Sequence, residues 1–381
     1  LNIPFKNIKF KQSSDGHLLY ISNAGINLFV FDKDMNRDYE VSLGKASIKA
    51  ENFASMGFGS YETGISNSDN FVTFLEDEVH ATLATHVDRN GKSYALKKVY
   101  INGKNEEVTK KDKETPNYYL ELVTTDKGEN RSKQKIKKLD NNFITNIKFF
   151  EGKDGKIWLV GLYNDFPSPG SAQGIITIDV ETVTAKFRPH SVDYVSKYLN
   201  AKKVPKKNNI PLSSFHVYDN GAGGILIMGQ KFINDFSNGY LSYGKFAPIM
   251  IDANNEIKWL PILSKGSVFA GLDLGCGNYS YAYIKNKHYF FYIDSEKNSA
   301  SSLEESANVC KNCKNGFLRA FVIDSSGKIT KKNIFDVRSI SKSVDGSFYT
   351  DYIQQVSEDE IIFEMLKSKK EATLVKLKIE G

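Results

Sequence analysis

Residues 146–179 read NIKFFEGKDGKIWLVGLYNDFPSPGSAQGIITID, and this stretch decides the fold class. Two apolar runs, 146–149 and 156–160, lie on either side of the dipeptide Asp154-Gly155, and a third run, 175–178, ends at Asp179. Short runs rich in aromatic and β-branched residues, separated by Gly, Asn, Asp and Ser, are typical of strands joined by turns. The stretch therefore predicts three consecutive strands of an antiparallel sheet.

The same order of runs recurs along the chain. Residues 7–10 repeat the Asn-Ile-Lys-Phe of 146–149, and Asp15-Gly16 and the run 17–21 follow at the same spacing. In each unit the third strand ends at an aspartate, and we expect its side chain to cap the turn that follows. These aspartates are Asp32, Asp126, Asp179, Asp252 and Asp324.

Four antiparallel strands per unit predict an all-β fold of the β-propeller class. We expect six blades in a single domain over 1–381, with residues 1–6 closing the ring by supplying the strand that the last unit lacks. Two further strand-like runs, 81–86 and 93–100, would allow a seventh blade. The alternative architecture is two β-sandwiches in tandem. One short helix is predicted within 191–202. The blades cover about 7–48, 52–140, 144–192, 213–264, 277–338 and 349–381.

Composition and charge narrow the classes of function. The chain carries 51 basic and 45 acidic residues, and its formal net charge of +6 is too small to imply nucleic-acid binding. It has no run of about 20 apolar residues, so no transmembrane segment is predicted. Abundant Tyr, Phe, Asn, Ser and Lys, and a first residue, Leu1, that is not an initiator Met, favour an exported protein. We expect it in the periplasm, on the outer-membrane surface or outside the cell.

The predicted loop lengths place function on one face of the propeller. With strands A to D counted outward from the axis, the A–B and C–D turns are short, whereas the B–C and D–A loops are long. The long B–C loops are 166–174, 232–246, 295–316 and most of 76–117, and the long D–A loops are 191–211 and 265–277. Long loops in compact domains are usually functional, so this face is the predicted surface for a partner or ligand. Its candidate residues are Tyr163, Asp165, Phe166, Lys202, Lys203, Lys206, Lys207, Phe232, Asp235, Phe236, Tyr240 and Tyr243. Alternatively, the aromatic residues pin the loops to the sheets and the lysines belong to a solvated loop.

The three cysteines belong to the same predicted face. Cys310 and Cys313 form a CxxC motif in the loop 295–316, and Cys276 lies in the connection that precedes that blade. A disulfide between Cys276 and one of the other two would staple the loop. Free thiols, or a zinc site with His288 as a fourth ligand, are the alternatives.

A calcium loop is the second metal site that the sequence allows. Oxygen-bearing residues alternate from Asp32 to Glu40, but Arg37 and Leu43 stand where such a loop needs Gly and Glu. We therefore expect no cofactor, and calcium remains the alternative to a plain turn. The alternating residues are Asp32, Asp34, Asn36, Asp38 and Glu40.

No catalytic residue is assigned. The chain contains no HExxH, GxSxG or phosphate-binding GxxxxGK motif. Propellers nevertheless host hydrolases and lyases, so the fold class does not exclude an enzyme.

One part of the chain resembles a known group of proteins. The segments 223–230, 248–252, 255–259 and 279–292 follow a Gly-Gly-strand, strand-Asp, turn, Ile-x-Trp and Tyr-rich order. This order resembles that of uncharacterised exported proteins of Bacteroidetes-type bacteria, over about residues 144–340. The resemblance implies export and a repeat β fold, and it carries no catalytic residues.

Together these patterns predict a non-catalytic binding or scaffold propeller of the cell envelope. Its partner is expected to be a protein or a glycan, held at the face of long loops, and it would belong to an outer-membrane-associated complex. The alternative is a propeller-fold hydrolase or lyase acting on polysaccharide or peptide.

Overall fold

The structure is a computed structural model. It describes residues 9–12, 18–22, 27–42, 74–75, 79–102, 106–108, 115–167, 171–201, 203, 205, 208–212, 214–235, 240–264, 267–270, 279–298, 303, 310–311, 317–336, 347–348, 353–368 and 371–380. The chain divides into two compact units. Unit 1 comprises Leu1–Glu62, Asp69–Ser191 and Lys206–Ile210, and unit 2 comprises Thr63–Ser68, Val192–Pro205 and Pro211–Gly381.

The described residues of unit 1 form three antiparallel sheets in chain order, each a meander of neighbouring strands. Sheet 1 contains β1 (Lys9–Gln12), β2 (Leu18–Ser22), β3 (Asn27–Phe31) and β4 (Arg37–Ser42). Sheet 2 contains β5 (Phe74–Leu75), β6 (His80–Val87), β7 (Lys92–Tyr100), β8 (Tyr118–Asp126) and β9 (Glu129–Lys135). Sheet 3 contains β10 (Phe143–Glu151), β11 (Ile157–Asn164), β12 (Gly174–Asp179) and β13 (Thr184–Pro189).

The described residues of unit 2 begin with a helix and continue with three more sheets. The helix is α1 (Val192–Leu199), and sheet 4 contains β14 (Ser214–Asp219), β15 (Ile225–Asp235), β16 (Tyr240–Ile251), β17 (Ile257–Trp259) and β18 (Ser267–Ala270). The short β21 (Cys310–Lys311) also belongs to sheet 4. Sheet 5 contains β19 (Ser280–Ile284), β20 (Lys287–Asp294), β22 (Phe317–Asp324) and β23 (Ile329–Asp336). Sheet 6 contains β24 (Ser347–Phe348), β25 (Gln354–Gln355), β26 (Glu360–Ser368) and β27 (Glu371–Lys378).

The predicted all-β class and its four-stranded antiparallel units are confirmed. The strands of sheets 1, 2 and 5 each fall within one predicted unit of the chain, and the runs 81–86 and 93–100 lie in β6 and β7 of sheet 2. Sheet 4 differs, because it takes in β18, which follows its predicted unit, and β21, which lies in the next one. Strands β10 and β24 begin one and two residues before their predicted units. The predicted helix is also present, as α1. Residues 1–6 lie outside the described residues, so ring closure, the number of blades and the single domain stay predictions.

The core of unit 1 forms between successive sheets. Leu28 and Val30 of sheet 1 cluster with Ala95 and Val123 of sheet 2. The opposite face of sheet 2 packs on sheet 3, where Leu96, Leu120 and Leu122 join Leu159, Ile176 and Ile178. Strand β7 thus sends neighbouring residues to two different cores, as the two-residue period of a strand requires.

Unit 2 is built on the same plan. In β20, Phe290 and Tyr292 pack in a cluster with residues of sheet 4, whereas Tyr289, Phe291 and Ile293 pack in a cluster with residues of sheet 6. All five side chains are at most 1% exposed. This explains the unbroken apolar run of β20, because a strand buried on both faces has no reason to alternate.

The turn-capping role of the aspartates is confirmed at four of the five positions. The Oδ1 atoms of Asp32, Asp179, Asp252 and Asp324 each accept two backbone N–H bonds from the following turn, at 2.8–3.2 Å. Each turn therefore satisfies its own polar groups through one side chain. For Asp324 the hydrogen bond from the Ser326 hydroxyl is the main cause that lowers the carboxyl pKa.

Helix α1 is held to sheet 4 within unit 2. The Tyr194 hydroxyl donates to the Pro248 carbonyl at 3.3 Å, and its ring lies 4.9 Å from that of Trp259. At the C-terminal end the Lys245 ammonium donates to the Tyr198 carbonyl at 3.0 Å, where the helix dipole favours a cation. Among the residues that the structure describes, no helix has the length and apolarity that crossing a bilayer requires.

Candidate ligand-binding cavity

A cavity of about 750 Å³ lies in unit 1, where β9 leads into β10. Its walls come from the β7–β8 connection, the first residues of β8, the last residues of β9, the segment 136–142 and the residue before β13. In blade terms these are a B–C loop and a D–A loop, the two classes of connection that the sequence analysis selected. The lining residues are Ile101, Pro116, Tyr118, Tyr119, Gln134, Lys135, Ile136, Lys137, Lys138, Leu139, Asp140, Asn141, Asn142 and Val183.

Backbone hydrogen bonds fix the wall formed by 136–138. The Ile136 N–H donates to the Leu120 carbonyl at 2.9 Å, which extends the β8–β9 pairing by one residue. The Lys137 N–H then donates to the Val183 carbonyl at 3.0 Å, and the Ala185 N–H donates to the Lys137 carbonyl at 3.2 Å. Lys137 therefore joins sheet 2 to the outer edge of sheet 3 by a parallel bridge.

Left-handed backbone is concentrated along the same wall. Lys138, Asp140 and Asn141 have φ angles of 61°, 46° and 56°, and Val183 has a φ of 55°. Asn and Asp tolerate this region, whereas a β-branched residue such as Val seldom adopts it. Such strain persists only where surrounding structure enforces it, and it is commonest at binding and active sites.

Two adjacent tyrosines line the cavity, one buried and one half-buried. Tyr118 is buried, and its hydroxyl accepts the Ile144 N–H at 2.8 Å. Burial raises the pKa of Tyr118 well above its ordinary value. Tyr119 is half-buried, and the Lys135 ammonium lies 4.5 Å from its ring centroid. A cation held over an aromatic face at this distance is attracted to the ring.

An ion pair holds the β7–β8 connection beside Tyr118. Lys98 Nζ lies 2.7 Å from Glu107 Oε1 and 4.3 Å from the Tyr118 ring centroid. The Tyr100 hydroxyl donates to the same carboxylate at 3.3 Å, and the Asn117 N–H donates to the Glu107 carbonyl at 2.8 Å. Glu107 thereby ties its own loop to strand β7 on one side and to the start of β8 on the other.

The chemistry of the lining suits binding better than bond cleavage. Among these described lining residues there is no histidine, cysteine or glutamate, and Asp140 is the only carboxylate. Glycoside hydrolysis generally requires two carboxyl groups, so this lining lacks the second. Its apolar surface with a few amide, amine and hydroxyl groups is typical of a ligand pocket, and its volume lies in the usual range of about 300–1,000 Å³.

A histidine–carboxylate cluster lies elsewhere in unit 1, at the β6–β7 and β10–β11 turns. His86 Nε2 lies 3.1 Å from Glu151 Oε2, and Arg89 Nε donates to Glu151 Oε1 at 2.7 Å. Arg89 also donates to the carbonyls of Gly152 and Lys153. Burial alone would raise the pKa of Glu151, but the bonds from His86 and Arg89 outweigh it and lower the pKa. The cluster joins two turns and leaves Glu151 with both oxygens engaged.

The first three predicted site residues differ in their exposure. Tyr163 is buried in β11, and its ring packs edge-on against Phe187 at 4.8 Å. Burial raises the pKa of Tyr163 to about 12. This is the packing role that the alternative interpretation gave to the aromatic residues. Asp165 is exposed and Phe166 half-buried in the turn after the strand.

The predicted loop 232–246 is wrong, because strands β15 and β16 extend through it. Phe232 pairs with Tyr243 and Asp235 with Tyr240, so only 236–239 separate the two strands. The pairing of β15 with β16 continues beyond a register shift between Gln230 and Phe232. Phe236 lies outside the described residues.

Three of the predicted long connections meet in sheet 4 of unit 2. Residues 240–243 of β16 pair with β18, which belongs to the predicted D–A loop 265–277. Strand β18 in turn pairs in parallel with β21 in the predicted B–C loop 295–316, and Ser267 lies opposite Cys310. The two loops and the hairpin thus share one hydrogen-bonded sheet.

The remaining predicted residues are described in part. Lys203 is exposed, and Lys202, Lys206 and Lys207 lie outside the described residues. Cys276 and Cys313 also lie outside them, so the choice among disulfide, thiol and zinc stays open.

The proposed calcium loop is a tight turn around Asp32. Its Oδ1 accepts the N–H groups of Asp34 and Asn36 at 3.0 and 2.8 Å, and the Asn36 side chain donates to Oδ2 at 3.2 Å. Both oxygens of this carboxylate are therefore used within the turn. In the described part of the chain, no group of three or more His, Cys, Asp or Glu residues is arranged to hold a metal ion.

The lysines of the cavity are not among the predicted site residues. The segment 133–138 reads KQKIKK, with four lysines in six residues at the end of a strand. That density of like charge was the available signal. The segment lies at a predicted blade boundary and outside the predicted long loops, so the loop-length pattern does not point to it.

No protein-family model matches this chain, and no curated protein is recognisably similar to it in sequence. Among solved structures, virginiamycin B lyase from Staphylococcus aureus shares 11% identity at a TM-score of 0.36, covering 100% of this chain and 88% of the lyase. A protein of unknown function from Dyadobacter fermentans shares 8% identity at a TM-score of 0.35, covering 99% and 97%. The Dos1 propeller shares 8% identity at a TM-score of 0.33, covering 98% and 79%. Similarity at this level assigns neither a family nor an activity to the chain.

Proposed function

We propose that this chain is a non-catalytic β-propeller that binds a glycan in the unit 1 cavity. The observation that carries the proposal is the cavity itself, with Tyr119 and several amide and amine groups around an apolar floor. It lies between a B–C and a D–A connection, the face expected to carry function. The six-bladed ring closed by residues 1–6 belongs to the proposal as well.

The packing of successive sheets supports the propeller. Within unit 1, sheet 2 has one face against sheet 1 and the other against sheet 3. Within unit 2, sheet 5 is buried in the same way between sheets 4 and 6. A sheet covered on both faces by its neighbours in the chain is what a blade requires, whereas a sandwich buries one face of each sheet.

The shape of the cavity favours a glycan over a protein partner. Stable protein interfaces bury about 800 Å² on each partner and are broad. A concave cavity of about 750 Å³ matches a ligand of a few sugar units instead. Tyr119 offers both an apolar ring and a hydroxyl, which suits a sugar with apolar and polar faces.

The cellular setting is proposed from composition. The abundance of Tyr, Phe, Asn, Ser and Lys supports an exported protein of the periplasm, the outer-membrane surface or the extracellular space. There it would act as a binding or scaffold member of an outer-membrane-associated complex. Fractionation of the native cells with an antibody to the chain tests this part separately.

Retention on immobilised polysaccharides tests the binding function. The intact chain is passed over neutral and acidic polysaccharides, beside the variants Tyr119→Ala and Phe166→Ala. Both substitutions remove a half-buried aromatic ring from unit 1, but only Tyr119 lines the cavity. We expect at least one polysaccharide to retain the chain and Tyr119→Ala to weaken retention about tenfold, since truncating a central tyrosine commonly costs more than 1 kcal/mol of binding.

Three results would contradict the proposal. If no polysaccharide retains the chain, the glycan function fails. If Phe166→Ala weakens retention and Tyr119→Ala does not, the cavity is the wrong site. If the chain releases reducing or unsaturated ends from a retained polysaccharide, the hydrolase or lyase alternative replaces the binding function.

A further inference from the structure

We infer that the cavity takes an acidic oligosaccharide, whose carboxylate or sulfate groups bind Lys135, Lys137 and Lys138 while a sugar ring packs on Tyr119. This inference rests on the proposed glycan-binding function and specifies its ligand class.

The three lysines give the described lining of the cavity an excess of positive charge. All three are exposed, and no acidic side chain of the described residues pairs with them. Lys133, the preceding lysine of the strand, is instead paired with Glu121 at 3.7 Å. Against three lysines the lining supplies one carboxylate, that of Asp140. A concave wall with an excess of one charge concentrates oppositely charged ligands.

The lysine positions are built into the fold. Both backbone polar groups of Lys137 are hydrogen-bonded. Its N–H donates to the Val183 carbonyl, and its carbonyl accepts from the Ala185 N–H. Lys135 is the last residue of β9, and its ammonium is held over the Tyr119 ring. The backbone of Lys137 and the ammonium of Lys135 are thus held in place by strand pairing and by a ring contact.

The rest of the lining favours a sugar over a bare anion. A cavity of about 750 Å³ is far larger than a sulfate or phosphate ion needs. Gln134, Asn141 and Asn142 add amide groups that both donate and accept, which matches sugar hydroxyls. Lysine acts on an anion as a point charge with rotatable donors, so it suits carboxylate and sulfate alike.

Calorimetric titration of the intact chain with four probes tests the inference. The probes are a tetrasaccharide of galacturonic acid, a sulfated tetrasaccharide, neutral cellotetraose and a tetraglutamate peptide. We expect at least one acidic sugar to bind about tenfold more tightly than cellotetraose, and to weaken as added salt screens the charges. The peptide, which carries charge without sugar rings, is expected to bind more weakly than that sugar.

A matched pair of double variants assigns the effect to the cavity. Lys137→Gln with Lys138→Gln removes two cavity charges, and Lys33→Gln with Lys127→Gln removes two exposed charges at turns. Lys127 lies in the β8–β9 turn, at the far end of the hairpin from the cavity. We expect the cavity pair to weaken the acidic sugar about fivefold to tenfold, as two exposed ion pairs allow, and the control pair to leave it unchanged.

Each other outcome overturns the inference. Equal binding of cellotetraose and the acidic sugars, unaffected by the cavity pair, overturns the ligand class and leaves the glycan function intact. No binding of any sugar overturns both. Binding of tetraglutamate as tightly as the acidic sugars, unaffected by Tyr119→Ala, indicates a protein partner with an acidic segment instead.

Discussion

The backbone N–H of Lys137 donates to the carbonyl oxygen of Val183 at 3.0 Å, and Val183 makes this bond from a left-handed conformation with φ 55°. The Val183 side chain is also buried, at 3% exposure, so the packing around it helps to hold the backbone in this conformation. The neighbouring sheet thus fixes the position of the cavity wall.

Hydrogen exchange should distinguish the two adjacent lysines of that wall. The Lys137 amide is hydrogen-bonded, whereas the Lys138 amide has no partner among the described residues. We expect the Lys137 amide to exchange at least about tenfold more slowly, because its exchange requires the bridge to open. Residue-resolved NMR exchange measures both rates, and equal rates would mean that the bridge does not persist in solution.

The Lys98–Glu107 pair should respond unequally to loss of its two partners. The Lys98 side chain is 7% exposed and that of Glu107 is 38% exposed. Burial lowers the pKa of Lys98, and only Glu107 opposes this effect. Glu107→Gln leaves a buried ammonium without a counter-charge and should cost about 3 kcal/mol of unfolding free energy. Lys98→Met leaves a carboxylate that water can reach, and should cost about 1 kcal/mol or less. Urea denaturation compares them, and the reverse order would contradict this account.

His190 should make the fold sensitive to mild acid. Burial lowers the pKa of His190 to about 4, and the nearby backbone of Asn208 and Ala172 opposes this effect only in part. Below its ordinary pKa of about 6.5 the unfolded chain binds a proton that the folded chain excludes. Stability should therefore fall between about pH 6.5 and 4, by at most about 3 kcal/mol, and His190 should contribute no further loss below that range. Melting profiles of His190→Asn should be flatter over this interval, and an unchanged slope would assign the acid sensitivity to other groups.

Met35 offers a simple stabilising substitution. It has a φ of 64° in the turn after β3, and its side chain is 60% exposed, so little packing is lost on removal. The left-handed conformation costs a residue with a Cβ about 1–2 kcal/mol, which Gly avoids at some cost in chain entropy. Met35→Gly should therefore raise the unfolding free energy by about 0.5–1 kcal/mol. Lys33→Gly in the same turn has no such strain to relieve, so a gain there would contradict the explanation.

Much of the fold was readable because its signals are local. A strand, an aspartate and a turn lie within a few residues of one another, and Asp179, Asp252 and Asp324 cap the turns that follow them. Burial on both faces was likewise visible in β20, whose apolar run does not alternate.

The candidate site was harder to predict because it depends on pairings between distant segments. The polar and aromatic residues of 232–243 suggested a loop, yet β18 supplies a strand partner for 240–243. In the same way, Lys137 gains its place from Val183, which lies 46 positions further along the chain by the sequence numbering. No local pattern in either segment encodes such a partner.

The self-contained aspartate turns have a consequence for how this architecture can change over time. Each such turn closes one end of a hairpin by itself, so insertions in the connections at the opposite end need not disturb it. Distant kin of this chain should therefore retain the aspartate at the end of these strands while their loops diverge in length and content.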